Sequence, residues 1–227
     1  VKVFGVVAAT VGWNERRLRA AGRSYRAIHS HPFDHATYYP GATRMAVKLL
    51  FDPNDGEILG AQIVGRNGVD KRIDVIATAM ANGMTADKLA DLELAYAPPF
   101  SSAKDPVNLL GYMAENILSG DCDVVAPDEL AGLIEEGWSL VDVRTAEEYE
   151  HGAIEGSTNV PIDSLRDHLD ALGRGPVVVY CEVGQRGHTA TALLHELGFE
   201  ARNLDGGYQT WSASMRARAN ATAAPVS

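Results

Sequence analysis

Tyr180-Cys181-Glu182-Val183-Gly184-Gln185-Arg186-Gly187 sets a cysteine at the end of an apolar run and an arginine five positions later. The run before it, Pro176-Val177-Val178-Val179-Tyr180, is continuous and β-branched, the composition of a parallel strand buried on both faces. From His188 to Leu197 the pattern turns helical. A strand, a tight loop and a helix N-terminus would surround Cys181 with inward-pointing backbone N–H groups, and the helix dipole and a fixed guanidinium on Arg186 add to the stabilisation of a thiolate. Cys181 is therefore read as a nucleophile and Arg186 as its charge partner. A buried structural cysteine would end a core strand equally well, but it accounts for neither the two glycines nor the arginine. Glu182, Val183, Gly184, Gln185, Gly187 and His188 are the substrate-binding residues of this reading, with Glu182 and Gln185 pointing outward to select the donor.

Loop length separates two chemistries. A Cys-x5-Arg loop is wide enough to wrap a phosphate, whereas Cys181 and Arg186 enclose only the four residues from Glu182 to Gln185. The smaller ring suits a persulfide or thiosulfonate sulfur and disfavours a phosphate- or arsenate-directed enzyme.

Two more stretches join this one. Leu140-Val141-Asp142-Val143-Arg144-Thr145-Ala146-Glu147-Glu148-Tyr149, followed by His151-Gly152-Ala153-Ile154-Glu155-Gly156-Ser157-Thr158-Asn159-Val160-Pro161, precedes the loop; Leu204-Asp205-Gly206-Gly207-Tyr208 with Trp211 follows it. With all three in order, the region resembles the rhodanese sulfurtransferases. The resemblance implies an α/β fold with a central parallel sheet and sulfane sulfur carried as a Cys181 persulfide. Asp142 and Arg144 are read as fixing a loop by charge-assisted hydrogen bonds, and Trp211 as core. Asp205-Gly206-Gly207 suits a sharp turn.

The preceding region reads as antiparallel strands followed by helices, an α+β pattern. Arg44 to Phe51 and Ile58 to Gly65 are strand-like and joined by the turn residues Asp52-Pro53-Asn54-Asp55-Gly56-Glu57. Ile73, Ile76, Ala77 and Met80 predict a helix over Asp70 to Asn82 that Gly83 ends; Thr85 is expected to cap a second helix, and Pro106 to open a third running to Leu118. Tyr38-Tyr39-Pro40-Gly41, Ala61-Gln62-Ile63-Val64-Gly65, Asp70-Lys71-Arg72-Ile73-Asp74, Leu94-Ala95-Tyr96-Ala97-Pro98-Pro99-Phe100-Ser101 and Asp105-Pro106-Val107-Asn108 resemble the C-terminal interface (dimerisation) domain of the pyridine nucleotide-disulfide oxidoreductases, in the coenzyme A-disulfide reductase branch. That resemblance implies a homodimer in which Tyr38 and Tyr96 reach the partner's flavin and disulfide site. It also implies FAD, NAD(P)H and CoA for the full-length protein.

No Gly-x-Gly-x-x-Gly follows a strand, so this chain alone is expected to bind no dinucleotide, and the opening at Val1 in mid-pattern reads as a fragment. His29, His31 and His35 are expected to be solvated loop histidines rather than metal ligands, and Lys104-Asp105 a charge pair leading a helix. The 227 residues, 46% hydrophobic, suit two domains: 1–120, the dimerisation domain, and 121–215, the rhodanese-like domain, with a disordered tail over 216–227. A net charge of −10 argues against nucleic-acid binding, and no apolar run reads as a membrane span. Only Cys122 and Cys181 occur, in keeping with the cytoplasm; Cys122 reads as a linker cysteine. The expected partners are small sulfur donors and thiol acceptors: thiosulfate, glutathione or CoA persulfide, and polysulfide. A non-catalytic dimerising scaffold or sulfur-sensing docking module is the alternative.

Overall fold

The apolar opening run folds as a hairpin, β1 (Lys2–Val3) and β2 (Val6–Gly12), in the computed structural model, which describes residues 1–173 and 175–223. After α1 (Glu15–Ala20) come β3 (Arg26–Ser30), β4 (Met45–Phe51) and β5 (Ile58–Gly65). These strands pair antiparallel in the order β1-β2-β5-β4-β3. Asp52 closes the β4–β5 turn: its N–H donates to Glu57 O at 2.9 Å, and its carboxylate accepts from the Asn54 N–H at 2.9 Å. Helices α2 (Val69–Ala81) and α3 (Pro106–Leu118) supply Ile73, Ile76, Leu110 and Ala114 to a core shared with Leu49, Phe51 and Ile63 of the sheet.

Thr85 does not cap an α-helix. It forms an isolated bridge with Glu57, and the segment behind it is a 3-10 turn, Asp87–Asp91. The Asn108 side chain on α3 donates to Leu89 O at 3.0 Å and Leu92 O at 2.9 Å, so a docked helix satisfies carbonyls that an α-helical ladder would otherwise take.

A buried charge ties the loops of this unit together. Arg72, 2% exposed, donates to the Asp105 carboxylate at 2.9 Å, to Asp34 O at 2.8 Å and to Phe100 O at 3.3 Å. Asp105 also caps α3, accepting from the Val107 N–H at 3.0 Å in a capping box completed by Asn108. Lys104 instead lies over the Tyr112 ring at 4.2 Å. The three histidines part company as well: His29 sits in β3, and His35 is buried with Nδ1 2.6 Å from Asp34 Oδ2. That carboxylate raises the His35 pKa. Among the described residues no cluster of three His, Cys, Asp or Glu side chains is placed to hold a metal.

Backbone contacts divide the chain after Gly120. The second unit runs β6 (Val124–Val125), α4 (Leu130–Glu135), β7 (Ser139–Asp142), α5 (Ala146–Glu150), β8 (Thr158–Asn159), β9 (Val177–Tyr180), α6 (Gln185–Glu196), β10 (Ala201–Leu204) and α7 (Gly207–Ala223). Its sheet is parallel throughout, in the order β6-β10-β9-β7-β8, with β9 central and wholly buried. Alternate residues of β9 serve two cores. Val177 and Val179 pack with Ala190 and Leu194 of α6, while Val178 and Tyr180 pack with Leu130 of α4 and with Tyr208 and Trp211 of α7.

Residues 216–223, expected in a disordered tail, continue α7; alanine and arginine favour helix, so the composition extends the element. Residues 224–227 of that tail lie outside the described residues. Among the described residues no helix is long and apolar enough to cross a membrane.

Candidate active site at the end of the central strand

Cys181 follows the last residue of β9, at the carboxyl end of the parallel sheet, where α/β folds place their ligands. Gly184 takes φ 93° and starts α6 at Gln185, three residues earlier than the sequence pattern suggests. Gln185, Arg186 and Gly187 therefore form the first helical turn and direct its free amides toward the loop.

The back of the loop is held by elements distant in sequence. The Tyr208 N–H donates to Cys181 O at 2.8 Å and the Gln209 N–H to Glu182 O at 3.0 Å, so the first turn of α7 fixes both carbonyls. Gly207, at φ 60°, makes that approach possible: a Cβ there would lie 2.4 Å from Cys181 O and 2.8 Å from Gly184 N. Asn203 on β10 donates from Nδ2 to Gly184 O at 3.1 Å and packs its Oδ1 against Gly187, where a Cβ would come within 2.2 Å.

Two arginines organise the front. Arg186 makes a bidentate pair with Glu148 of α5, both N–H···O distances being 2.7 Å. The Arg186 pKa is raised first by the Glu148 hydrogen bonds, against burial, and further by the neighbouring Cys181 sulfur. Reciprocally, Arg186 and, more weakly, the Thr145 N–H hold the Glu148 carboxyl down at about 2 against the opposing effect of burial. Arg144 is buried and clasped by Asp142 at 2.7 Å; it also donates to Glu182 at 3.1 Å and to Gly152 O at 2.7 Å, and lies over the Tyr208 ring at 4.4 Å. Burial disfavours the Arg144 charge, but Asp142 and Glu182 more than offset it, so its pKa is raised.

The expected substrate-binding residues separate on this geometry. Gly184 and Gly187 are buried structural parts of the loop, Val183 and His188 are half-buried, and Gln185 is exposed. Glu182 is drawn in to Arg144, not pointed freely outward. Cys181 itself is only 1% exposed. Asp142 and Arg144 do fix the loop leading into α5, through a carboxylate–guanidinium pair that also includes the Arg144 N–H at 2.9 Å. Cys122 is a different kind of thiol: it is buried, and burial, then Asp123 and Asp205, push it up to about 11.

Glu148 and Asn203 escaped the sequence reading. Thr145-x-x-Glu148 has the spacing of a capping box, which the structure contains, but that signal locates a helix start and says nothing of Arg186. Asn203, inside a strand pattern, carries no local signal.

In the first unit Tyr38 and Tyr96 are 74% and 52% exposed, with their phenol oxygens 3.1 Å apart. The hydrogen bond with Tyr96 raises the Tyr38 pKa. Arg72 and His35 brace the Tyr38 loop, the latter through Nε2 at 3.3 Å from Pro40 O, and Lys71 reaches Ala95 O at 3.4 Å in the loop of Tyr96.

The family model described as "Pyridine nucleotide-disulphide oxidoreductase, dimerisation domain" matches residues 1–106, and "Rhodanese-like domain" matches residues 126–214. A coenzyme A disulfide reductase from Staphylococcus haemolyticus (strain JCSC1435) is 42% identical over 117 residues, 52% of this chain and 26% of that protein. Among solved structures, reduced Bacillus anthracis CoADR-RHD superposes with a TM-score of 0.93 at 44% identity, over 96% of this chain and 39% of that one. An NAD-dependent persulfide reductase from A. fulgidus gives 0.82 at 39% identity, over 92% of this chain and 38% of that one. The chain thus spans about a quarter of the length of the curated relative and under two fifths of each of these structures. Both domains are thus matched in this order, and the chain carries a pyridine nucleotide-disulphide oxidoreductase dimerisation domain followed by a rhodanese-like domain, similar in arrangement to the reduced Bacillus anthracis CoADR-RHD.

Proposed function

We propose that the second domain is a sulfurtransferase whose nucleophile is Cys181. One observation carries this reading: a cysteine at the carboxyl end of the central parallel strand, followed by a short loop and a helix whose first turn carries Arg186. The Cys181 thiolate attacks the outer sulfur of a sulfane donor. A new S–S bond forms, the donor S–S bond breaks, and the leaving group departs with its electron pair. An acceptor thiolate then takes the outer sulfur from Cys181 by the same displacement, so the cycle involves no net oxidation. Arg186 and the first-turn amides of α6 offset the negative charge on the persulfide. Because Cys181 is almost wholly buried, a narrow sulfur chain suits the approach.

In the whole protein this domain would serve a flavin- and NAD(P)H-dependent reductase of CoA disulfide, persulfide or polysulfide. The FAD and NAD(P)H it would use supply hydride and electron transfer, and the dinucleotide-binding turn for them is not part of these 227 residues. The first domain would pair two subunits and present Tyr38 and Tyr96 to the partner, where a phenol can hydrogen-bond a bound disulfide or a leaving thiolate. Tethering would raise the effective concentration of the Cys181 persulfide near the reductase site.

Intact-mass spectrometry after exposure to thiosulfate or glutathione persulfide tests the central claim. A gain of one sulfur atom on the wild-type chain, absent from Cys181→Ser, is expected. Absence of any gain with every donor would make the second domain a docking module.

A further inference from the structure

The pairing of Arg186 leaves the site with an unexpected charge balance. Arg186 and Arg144 are opposed by Glu148, Glu182 and Asp142, and every one of these carboxylates is in direct contact with one of the two guanidiniums. Two cations face three anions before Cys181 ionises. Arg186, on the first turn of the helix that follows the Cys181 loop, has both terminal nitrogens committed to Glu148 at 2.7 Å. A second anion can use Arg186 only by displacing Glu148 or by lying beside it, against like-charge repulsion.

We infer that Glu148 is a specificity-determining residue, directing Cys181 toward alkyl persulfide donors and against the dianion thiosulfate. The inference rests on the sulfurtransferase reading of Cys181 and deepens it. With the protonated form of an alkyl persulfide, the Cys181 thiolate bonds to the terminal sulfur, the S–S bond to the alkyl sulfur breaks, an alkyl thiolate leaves, and only afterwards does the Cys181 persulfide release that sulfur's proton. One negative charge is present at the reacting atoms throughout this displacement. With thiosulfate, the doubly charged sulfonate enters beside Glu148 and leaves as sulfite, so three negative charges crowd the loop in the transition state. Anionic groups on a larger persulfide such as that of glutathione lie away from the transferred sulfur, where solvent screens them.

Glu148→Gln is the informative change, because glutamine retains an oxygen for the capping box with Thr145 while losing the charge. The rates at which thiosulfate and glutathione persulfide load Cys181 would be measured by mass spectrometry under single-turnover conditions. Wild type is expected to load faster from the persulfide, and Glu148→Gln to shift the ratio of the two rates toward thiosulfate by about tenfold or more. Glu182→Gln removes the carboxylate on the Arg144 side and should move the ratio in the same direction. A residue that merely positions Arg186 would, when changed, slow both donors in proportion. Such a proportional loss in both variants, or equal loading by the two donors in wild type, overturns the role of Glu148 while leaving sulfurtransfer intact. Failure of wild type to load from either donor overturns the sulfurtransferase reading and this inference with it.

Discussion

At Gly207 a single hydrogen atom decides whether the loop can close. Its φ of 60° is costly for any other residue, and an added methyl group would press on Cys181 O and Gly184 N, both backbone atoms that have no room to retreat. Gly207→Ala should therefore cost about 1–3 kcal/mol of stability and abolish sulfur loading on Cys181. Chemical denaturation read beside mass spectrometry checks both effects, and full loading with unchanged stability would contradict this account of the turn. The glycine pair was legible in the sequence as a sharp turn, and the run from Cys181 to Arg186 as a loop between a strand and a helix. The packing of Gly207 against Cys181 O was not, since it arises from two strand-to-helix turns that meet only when β9 and β10 pair.

The start of α3 shows the same dependence at the level of an element. Pro106 at the first turn predicts the helix, and its observed span is Pro106–Leu118. That its N-cap, Asp105, would also neutralise a buried Arg72 from α2 follows from packing alone. Burial works against the Asp105 charge, but the Val107 N–H, Arg72 and Ser101 more than offset it, so the carboxyl lies below its ordinary value. The stabilisation is complete above the unfolded carboxylate pKa and is lost as pH falls through the lower folded value. Asp105→Ala leaves Arg72 buried without its carboxylate and should destabilise the first domain by about 3–5 kcal/mol. Denaturant midpoints measured from neutral pH downward should converge for wild type and variant in acid. A constant gap at all pH values would show that Asp105 stabilises by something other than its charge.

Over the whole molecule, the two units bury separate cores: the first unit has a main one from Ile28 to Ala114 and a small one of Leu18, Leu50 and Leu59, and the second has two flanking the parallel sheet. Among the described residues, the exposed large hydrophobic side chains lie in the first unit, apart from Ile134 and Leu197. The first unit is also the one matched as a dimerisation domain, so it is the unit expected to self-associate. Divided between Gly120 and Asp121, the chain should yield two folding pieces, with self-association confined to residues 1–120. Sedimentation equilibrium on the separate pieces checks this, and a dimer formed by the second piece alone would refute it. By itself the sequence determined the order of the two domains, the strand, loop and helix around Cys181, and β4, β5, α2 and α3 of the first domain. These depend on periodicity, glycine, proline and short loops, all of them local in the chain. Tertiary structure alone decided that Arg186 is shared with Glu148, that Glu182 turns in to Arg144, and that Arg72 joins α2 to α3. Those partners stand 33 to 38 positions apart, so their charges meet only after the hydrophobic layers have brought separate elements into contact.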